Sequence, residues 1–140
     1  MTRKITLALL LVAAISAAGE LRTISRASAV IDKAIPESVR KQFDDDDGRP
    51  MKSVSVDLSG DKNSEKLIPN ELLCGTGGCP WLVYSPKLHK VIGHLDGNQI
   101  DVLSTSNEGY KSIRTYWRLG ADESVTALYV FRNGVYKKEK

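Results

Sequence analysis

Oxygen-bearing side chains recur at every second position of the stretch DLSGDKNSE, residues 57–65, a spacing found in metal-binding loops. In order they are Asp57, Ser59, Asp61, Asn63 and Glu65. Calcium prefers hard oxygen ligands of this kind in a flexible loop. A full EF-hand is excluded, because Lys62 replaces the expected glycine and Ile68 replaces the bidentate glutamate. The stretch therefore predicts either a short calcium loop or a polar turn around Gly60.

Hydrolysis is a second chemistry open to these carboxylates. A small periplasmic hydrolase would combine Asp57, Asp61 or Glu65 with one of the two histidines, His89 or His94. The histidines are five residues apart in a region predicted to be a strand, so their side chains should point to opposite faces and cannot chelate one ion. No motif supplies a positioned nucleophile and base. The sequence therefore favours a non-catalytic protein over the hydrolase alternative.

The two cysteines of the chain, Cys74 and Cys79, lie in the stretch CGTGGCPW with four residues between them. In an exported protein, such a pair is expected to be oxidised. Gly75, Gly77 and Gly78 suit a tight ring, because glycine adopts positive φ and lets backbones approach closely. A redox pair or catalytic thiol is the alternative, but the spacing is not C-x-x-C and no helix obviously follows. The stretch therefore predicts a structural disulfide.

Export is predicted by the first 18 residues. Arg3 and Lys4 precede the apolar run ITLALLLVAAI, which is too short to span a bilayer, and the small residues Ser16 and Ala18 follow. This is the pattern of a secretory signal peptide over residues 1–18. No cysteine follows closely enough to carry a lipid. We expect a periplasmic or secreted protein without a membrane span.

Nucleic acid is not an expected partner. The formal net charge is +3, and loss of Arg3 and Lys4 with the signal peptide lowers it to +1. A chain with so small a charge has no strong basic field for binding phosphate backbones.

The predicted secondary structure that positions these residues changes from helix to strand near residue 50. Residues 19–27 are polar and are expected to be a flexible N-terminus of the mature chain. From Ser28 onward, apolar residues at helical spacing predict a helical segment, kinked or restarted at Pro36 and ended by the aspartates at 44–47. The residues that carry this spacing are Ile31, Ile35, Val39 and Phe43. A single domain is expected over residues 28–140.

Strands are predicted after the aspartates, because the apolar period changes to two. The stretch KSVSVDL alternates, WLVYS is continuously apolar enough to be buried on both faces, and SVTALYVF reads as a central strand. Turns are predicted at Asp96–Asn98, at the stretch NEG and at Asn133–Gly134. The fold class predicted is α+β, with the N-terminal helical segment packed on a mostly antiparallel β-meander of about seven short strands.

One strand also predicts a contact surface. In YKSIRTYW, the residues Ile113, Thr115 and Trp117 are expected to face the core. Alternation then places Arg114, Tyr116 and Arg118 on the outer face. Tyrosine and arginine are common anchors at interfaces, so this row is a candidate contact surface for a protein or a glycan.

Four stretches carry a resemblance to a protein family. DLSGDKNSEKLI, CGTGGCPWLVY, VLSTSNEGYKSIRTYW and LYVFRNGVYKK follow one another in this order. Over about residues 52–138 the chain resembles small exported bacterial proteins, largely uncharacterised, that carry a DxNGDGxxE-type, FG-GAP-like loop followed by a CGTGGC motif. The resemblance implies a periplasmic or secreted domain and does not imply an enzyme. Lys62 and Ser59 depart from the loop pattern of that group.

Together these features predict an exported, non-catalytic binding or structural module. A disulfide is expected to stabilise it, and calcium is expected to do so if the loop binds metal. Its partner would be a protein or a glycan in the periplasm or outside the cell.

Overall fold

Two antiparallel sheets of five strands each make up the computed structural model, which describes residues 22–43 and 48–140. The predicted signal peptide and the aspartates at 44–47 lie outside the described residues.

The first sheet, sheet 1, has the strand order β1-β7-β8-β9-β10. Its strands are β1 (Arg22–Ser25), β7 (Gln99–Asn107), β8 (Tyr110–Arg118), β9 (Ser124–Arg132) and β10 (Val135–Lys138). The second sheet, sheet 2, has the order β2-β3-β4-β5-β6. Its strands are β2 (Val30–Ile31), β3 (Lys52–Val56), β4 (Glu65–Pro69), β5 (Cys79–Ser85) and β6 (Lys90–Gly97). In the described part of the chain, the single α-helix is α1 (Glu37–Arg40), and 3-10 turns cover Arg26–Ser28 and Glu71–Leu73.

The main core lies between the inner faces of the two sheets. Alternate residues of each strand point inward, as the period of two requires. Sheet 2 contributes Val54, Val56, Leu67, Trp81, Val83, Ile92 and Leu95, and sheet 1 contributes Ile24, Ile100, Val102, Ile113, Tyr129, Phe131 and Tyr136. The predicted burial of WLVYS is confirmed, since all five of its residues are buried.

The predicted α+β fold class is wrong. Strands hold 54% of the described residues and helices only 9%, so the fold is mostly β. Val30 and Ile31 pair with Ser53 and Lys52 of β3 instead of forming helix, which suits their branched side chains. Pro36 is the N-cap of α1, so the helix begins only after it and covers Glu37–Arg40.

The apolar spacing over residues 31–43 reflects packing without an extended helix. Ile35 and Val39 lie with Ile68, Leu82 and Tyr84 in a second cluster on the outer face of sheet 2. A short segment thus covers that sheet face as the helix was expected to do. Because both a helix and an irregular segment can bury one apolar side, periodicity alone did not separate them.

The strand count and the N-terminus also differ from the predictions. The described residues contain ten strands in two sheets rather than about seven in one meander. Residues 22–25, expected to be flexible, form β1, which pairs with β7 from Arg22↔Val102 to Ser25↔Gln99. The partner of β1 lies far away in the sequence, so local polarity did not reveal the strand.

Two of the three predicted hairpin turns are confirmed. Asn133 and Gly134 have φ values of 53° and 84°, and Glu108 and Gly109 have 48° and 84°. Two successive left-handed residues match the twist of antiparallel strands. The third, at Asp96–Asn98, is wrong: β6 and β7 belong to different sheets and do not pair, so Asn98 connects sheet 2 to sheet 1.

Candidate functional site

The loop at residues 57–65 joins β3 to β4, as expected of a turn between two strands. The Asp57 side chain bridges the loop by hydrogen bonds to its backbone. One carboxylate oxygen of Asp57 accepts from the Gly60 N–H at 2.8 Å and the other from the Lys62 N–H at 3.1 Å. Lys62 has a φ of 66°, the left-handed conformation in which calcium loops place a glycine. Both oxygens of the first predicted ligand therefore bind the backbone of the loop itself.

Asp61 binds a cation from a different turn. The Lys87 ammonium, in the β5–β6 turn, lies 3.0 Å from Asp61 Oδ2, and the Asn63 N–H donates to Oδ1 at 2.9 Å. The nearby Ser59 hydroxyl, the Lys87 ammonium and the Asn63 N–H together hold the pKa of Asp61 well below its usual value. The same contact with Asp61 raises the pKa of Lys87.

Glu65 is the buried member of the loop, with a relative exposure of 1%. Its Oε2 accepts from the Leu58 N–H at 2.7 Å, which ties the start of β4 to the end of β3. Leu58 in turn is buried in the core and accepts from the Lys111 N–H of β8 at 2.8 Å. Burial raises the pKa of Glu65, and the nearby charges of Asp61 and Asp57 add to that rise.

These contacts do not match a calcium cage. The two aspartates face N–H groups and an ammonium, and Glu65 is turned to a backbone N–H. Over residues 22–43 and 48–140 there is no group of three His, Cys, Asp or Glu side chains that could hold a metal ion. The geometry supports a polar turn in which Lys87 neutralises Asp61. Calcium binding stays a prediction from the sequence.

Calcium binding by the loop is tested by removing the competing ammonium. We expect calcium to raise the melting temperature of Lys87→Met more than that of the wild type, because Asp61 is then available to the ion. A site with a Kd of about 1 mM would gain about 1 kcal/mol in about 5 mM calcium. Thermal unfolding with chelator and with calcium measures this, and a double variant that adds Asp61→Ala is the control. Equal shifts in all proteins would exclude the loop as the site.

Glu65→Gln is expected to stabilise the protein at neutral pH, because it removes a buried carboxylate while the amide oxygen can still accept from Leu58. A raised folded-state pKa means that Glu65 costs stability above that pKa and not below its unfolded value of 4.5. The advantage of the variant should therefore grow as pH rises from about 4.5 to 8.

Urea unfolding at a series of pH values measures this difference. Glu123→Gln removes the same charge at an exposed position in the β8–β9 turn. A difference between Glu65→Gln and the wild type that does not change with pH would contradict the prediction.

The histidines do not join the acidic loop. His89 lies in the β5–β6 turn with a φ of 52°, and His94 lies exposed on β6. Neither histidine has a hydrogen bond or an ion pair with a carboxylate in the part of the chain that the structure describes. The acid and base of the hydrolase alternative are thus not brought together.

The predicted disulfide between Cys74 and Cys79 is present. Within the ring, the Gly75 N–H donates to Gly78 O at 2.9 Å. The Arg118 N–H donates to Gly77 O, also at 2.9 Å, so the ring is fastened to the end of β8. The ring and the acidic loop lie at opposite ends of the strands.

Asp101, on the outer face of sheet 1, binds one member of the predicted contact row of Arg114, Tyr116 and Arg118. Asp101 is 2% exposed and accepts from Thr23 at 2.9 Å, from Gln99 at 3.1 Å and from Arg114 at 3.4 Å. Burial opposes ionisation, but the hydrogen bonds from Gln99, Thr23 and Arg114 hold the pKa of Asp101 below its usual value. The Arg114 guanidinium lies 5.4 Å from the centre of the Tyr116 ring.

Arg118, the third member of that row, belongs to a turn. Its guanidinium donates to the carbonyls of Gly120 and Ala121 at 3.3 and 3.4 Å. The structure therefore brings Arg114 and Tyr116 together and directs Arg118 into the β8–β9 turn.

A groove between β6 and strands β8 to β10 was not predicted from the sequence. Two concave volumes of about 390 and 450 Å³ share Asp96, Tyr129 and Lys138 and so form one groove. The part beside β6 is also lined by Val91, Ile92, Gly93, His94, Val135 and Tyr136. The other part is lined by Thr115, Trp117, Val125, Thr126 and Ala127.

The start of β9 is exposed on the side that faces the groove. Val125 pairs with Trp117, so it lies on the inner face of sheet 1, yet it is 49% exposed. In the described part of the chain, β6 is an edge strand of sheet 2. The apolar pattern of SVTALYVF predicts a central strand and gives no sign that one end of that strand is uncovered.

No protein-family model matches the chain, and no curated protein or solved structure is significantly similar to it. Among the residues placed by the structure, no helix has the length and apolar character required to cross a membrane.

Proposed function

We propose that the chain is an exported, non-catalytic binding module that holds an extended segment of a partner polypeptide along β6. The observation that carries the proposal is the backbone edge of β6, which forms one wall of the groove. The disulfide between Cys74 and Cys79 supports export, because such bonds persist in oxidising compartments.

Four consecutive residues of β6 lie along this wall, and the strand has a bulge at Ile92, where its register with β5 shifts. Val91, Ile92, Gly93 and His94 all line the groove, although neighbouring side chains of a strand point to opposite faces. Within the described chain, β6 has β5 as its strand partner and is the edge of sheet 2. An edge strand presents unpaired N–H and C=O groups that can pair with another chain. Strand addition is a common way of recognising peptides.

The opposite wall offers contacts for side chains of an added strand. Val135 of β10 is half-buried and contributes apolar surface, whereas Tyr136 and Tyr129 line the groove from the core with only 6% and 5% of their surface exposed. An added strand would lie about 4.8 Å from β6 and would place alternate side chains against this wall. A polypeptide suits the groove better than a glycan, because main-chain groups in a row match another main chain.

Hydrogen exchange of a peptide complex tests the proposal. Peptides of about 12 residues are selected from a random display library on the mature protein, and amide exchange is compared with and without the best binder. We expect slower exchange for the amides of β6 and unchanged exchange in β2, the other edge strand of sheet 2. Strand pairing protects amides directly, so the effect should exceed about tenfold.

A pair of variants locates the binding. Val135→Trp should weaken peptide binding about tenfold or more by filling the part of the groove beside β6, whereas Val30→Trp should not. Val30 is an exposed valine on β2, with a relative exposure of 67%, and does not line the groove. Failure to select any peptide, or selected peptides that protect the outer face at Arg114 and Tyr116 instead of β6, would overturn the proposal.

A further inference from the structure

We infer that a second site, a pocket beside the β2 edge of sheet 2, binds a small neutral molecule that carries one carboxamide group on an apolar body. This pocket is separate from the groove along β6, which is the other edge of the same sheet. The observation that carries the inference is the buried side-chain amide of Asn70, which lines the pocket.

The pocket is small and has a largely apolar lining. Its volume is about 220 Å³. An apolar cavity of about 150 Å³ holds benzene, and drug-sized ligands occupy roughly 300–1,000 Å³. The pocket therefore suits a molecule about the size of a phenyl ring with a short chain. Its apolar lining residues are Ile31, Phe43, Pro50, Met51, Pro69 and Leu72.

The backbone of Asn70 is held on both sides, while its side chain is not. The Asn70 N–H donates to Pro80 O at 2.8 Å, and the Leu73 N–H donates to Asn70 O at 3.1 Å. Asn70 is the N-cap of the 3-10 turn Glu71–Leu73, a position where asparagine ordinarily accepts from a backbone N–H, yet here its side chain makes no such bond.

The Asn70 amide is thus a buried polar group without a partner. The residue is only 8% exposed, and its side chain forms no hydrogen bond within residues 22–43 and 48–140. Buried amides are normally hydrogen-bonded, because an unpaired one costs stability. Neither polar atom of this amide is completely enclosed, so both can be reached from the pocket that Asn70 lines.

A carboxamide is the group that satisfies Asn70 fully. The side chain offers an acceptor oxygen and a donor NH₂ group, and a second carboxamide offers the same two functions in return. A ketone supplies only an acceptor, and a carboxylate also lacks a donor for the Asn70 oxygen. Only the carboxamide can therefore form both hydrogen bonds.

The charged groups of the lining do not select an anion. Lys52 pairs with Glu71 at 3.6 Å. Arg40 pairs with Glu37, also at 3.6 Å, and Arg49 has an interaction partner as well. Glu71 itself lines the pocket and would repel a carboxylate. The lining therefore favours a neutral polar group.

Three probes of equal size test the inference: hydrocinnamamide, the ketone benzylacetone and the anion hydrocinnamate. Each is titrated into the isotope-labelled mature protein at neutral pH and followed by nuclear magnetic resonance. We expect hydrocinnamamide to bind about fivefold or more tightly than the other two, because it gains the second hydrogen bond. The side-chain NH₂ signals of Asn70 should shift on binding, and the amides of β6 should not.

Adjacent residues of β2 provide matched variants that locate the binding. Ile31 lines the pocket and Val30 does not, although both side chains are exposed. Ile31→Trp should weaken hydrocinnamamide binding about tenfold by filling the pocket, whereas Val30→Trp should leave it unchanged. Equal effects of the two variants would overturn the inference.

Asn70→Leu tests the amide itself. Leucine has a similar volume and keeps the two backbone hydrogen bonds, so the variant should bind hydrocinnamamide and benzylacetone equally. A preference that survives in Asn70→Leu would contradict the role of the amide. Tighter binding of hydrocinnamate to the wild type, equal binding of all three probes, or no binding at several millimolar would also overturn the inference, and none of these results bears on strand addition at β6.

Discussion

Gly78→Ala is expected to destabilise the folded protein by about 3 kcal/mol or more, whereas Gly75→Ala in the same ring should change stability by less than about 1 kcal/mol. Gly78 has a φ of 147°, and a Cβ atom there would lie 2.5 Å from Asn98 N and 2.5 Å from the carbonyl carbon of Gly97. Both contacts are backbone atoms of the connection between β6 and β7, where the chain passes from sheet 2 to sheet 1, and they cannot move aside. At Gly75 a Cβ atom would meet nothing within 4 Å.

Urea unfolding followed by tryptophan fluorescence measures the two substitutions. Both keep the cysteines, so the comparison separates the close approach at Gly78 from the presence of the ring. Similar losses in the two variants would show that the ring does not depend on this contact. A folded Gly78→Ala protein in which the β6–β7 connection is displaced should also bind β6-directed peptides more weakly, because that connection directly follows Asp96 at the end of β6.

Trp81→Ala is expected to lower the free energy of unfolding by about 3–5 kcal/mol. Trp81 is 1% exposed at the centre of the core, and its indole N–H donates to Gly97 O at 3.0 Å. Removing it leaves a cavity and also leaves a buried carbonyl without its donor. Trp81→Phe keeps most of the volume and should cost about 1–3 kcal/mol, chiefly through the lost hydrogen bond.

Trp117→Phe is the control for the loss of an indole. Trp117 is only half-buried and lines the groove. Circular dichroism in urea gives the free energies of unfolding for all three variants. A cost for Trp81→Phe no larger than that for Trp117→Phe would contradict the role assigned to the bond with Gly97.

Features decided by neighbouring residues were predictable from the sequence. The turns at Asn133–Gly134 and after Glu108 follow from residues that tolerate positive φ. The buried Ile113 and Thr115 and the outward Arg114 follow from alternation. The disulfide follows from two cysteines in one glycine-rich stretch.

Features decided by distant residues were not predictable. The apolar alternation of β9 does not show which of its residues another sheet covers. The exposure of Val125 and the groove therefore could not be predicted. The loop at 57–65 was located correctly, but Lys87 comes from another turn, and only the fold brings its ammonium to Asp61. The apolar residues spaced over 31–43 do pack on one surface, as predicted. Spacing alone could not show that this surface is reached by a strand and an irregular segment and not by a long helix.

The pairing of β1 with β7 has a consequence for the order of folding. Thr23 Oγ1 donates to Asp101, a contact that spans 78 residues, whereas β7, β8, β9 and β10 are joined to one another by short turns. Hairpins close in microseconds, but ends separated by a long chain meet slowly. During synthesis or passage through a membrane channel, β1 would emerge before β7. It would stay unpaired until most of the chain had followed. The first strand in the sequence is therefore expected to be among the last to fold.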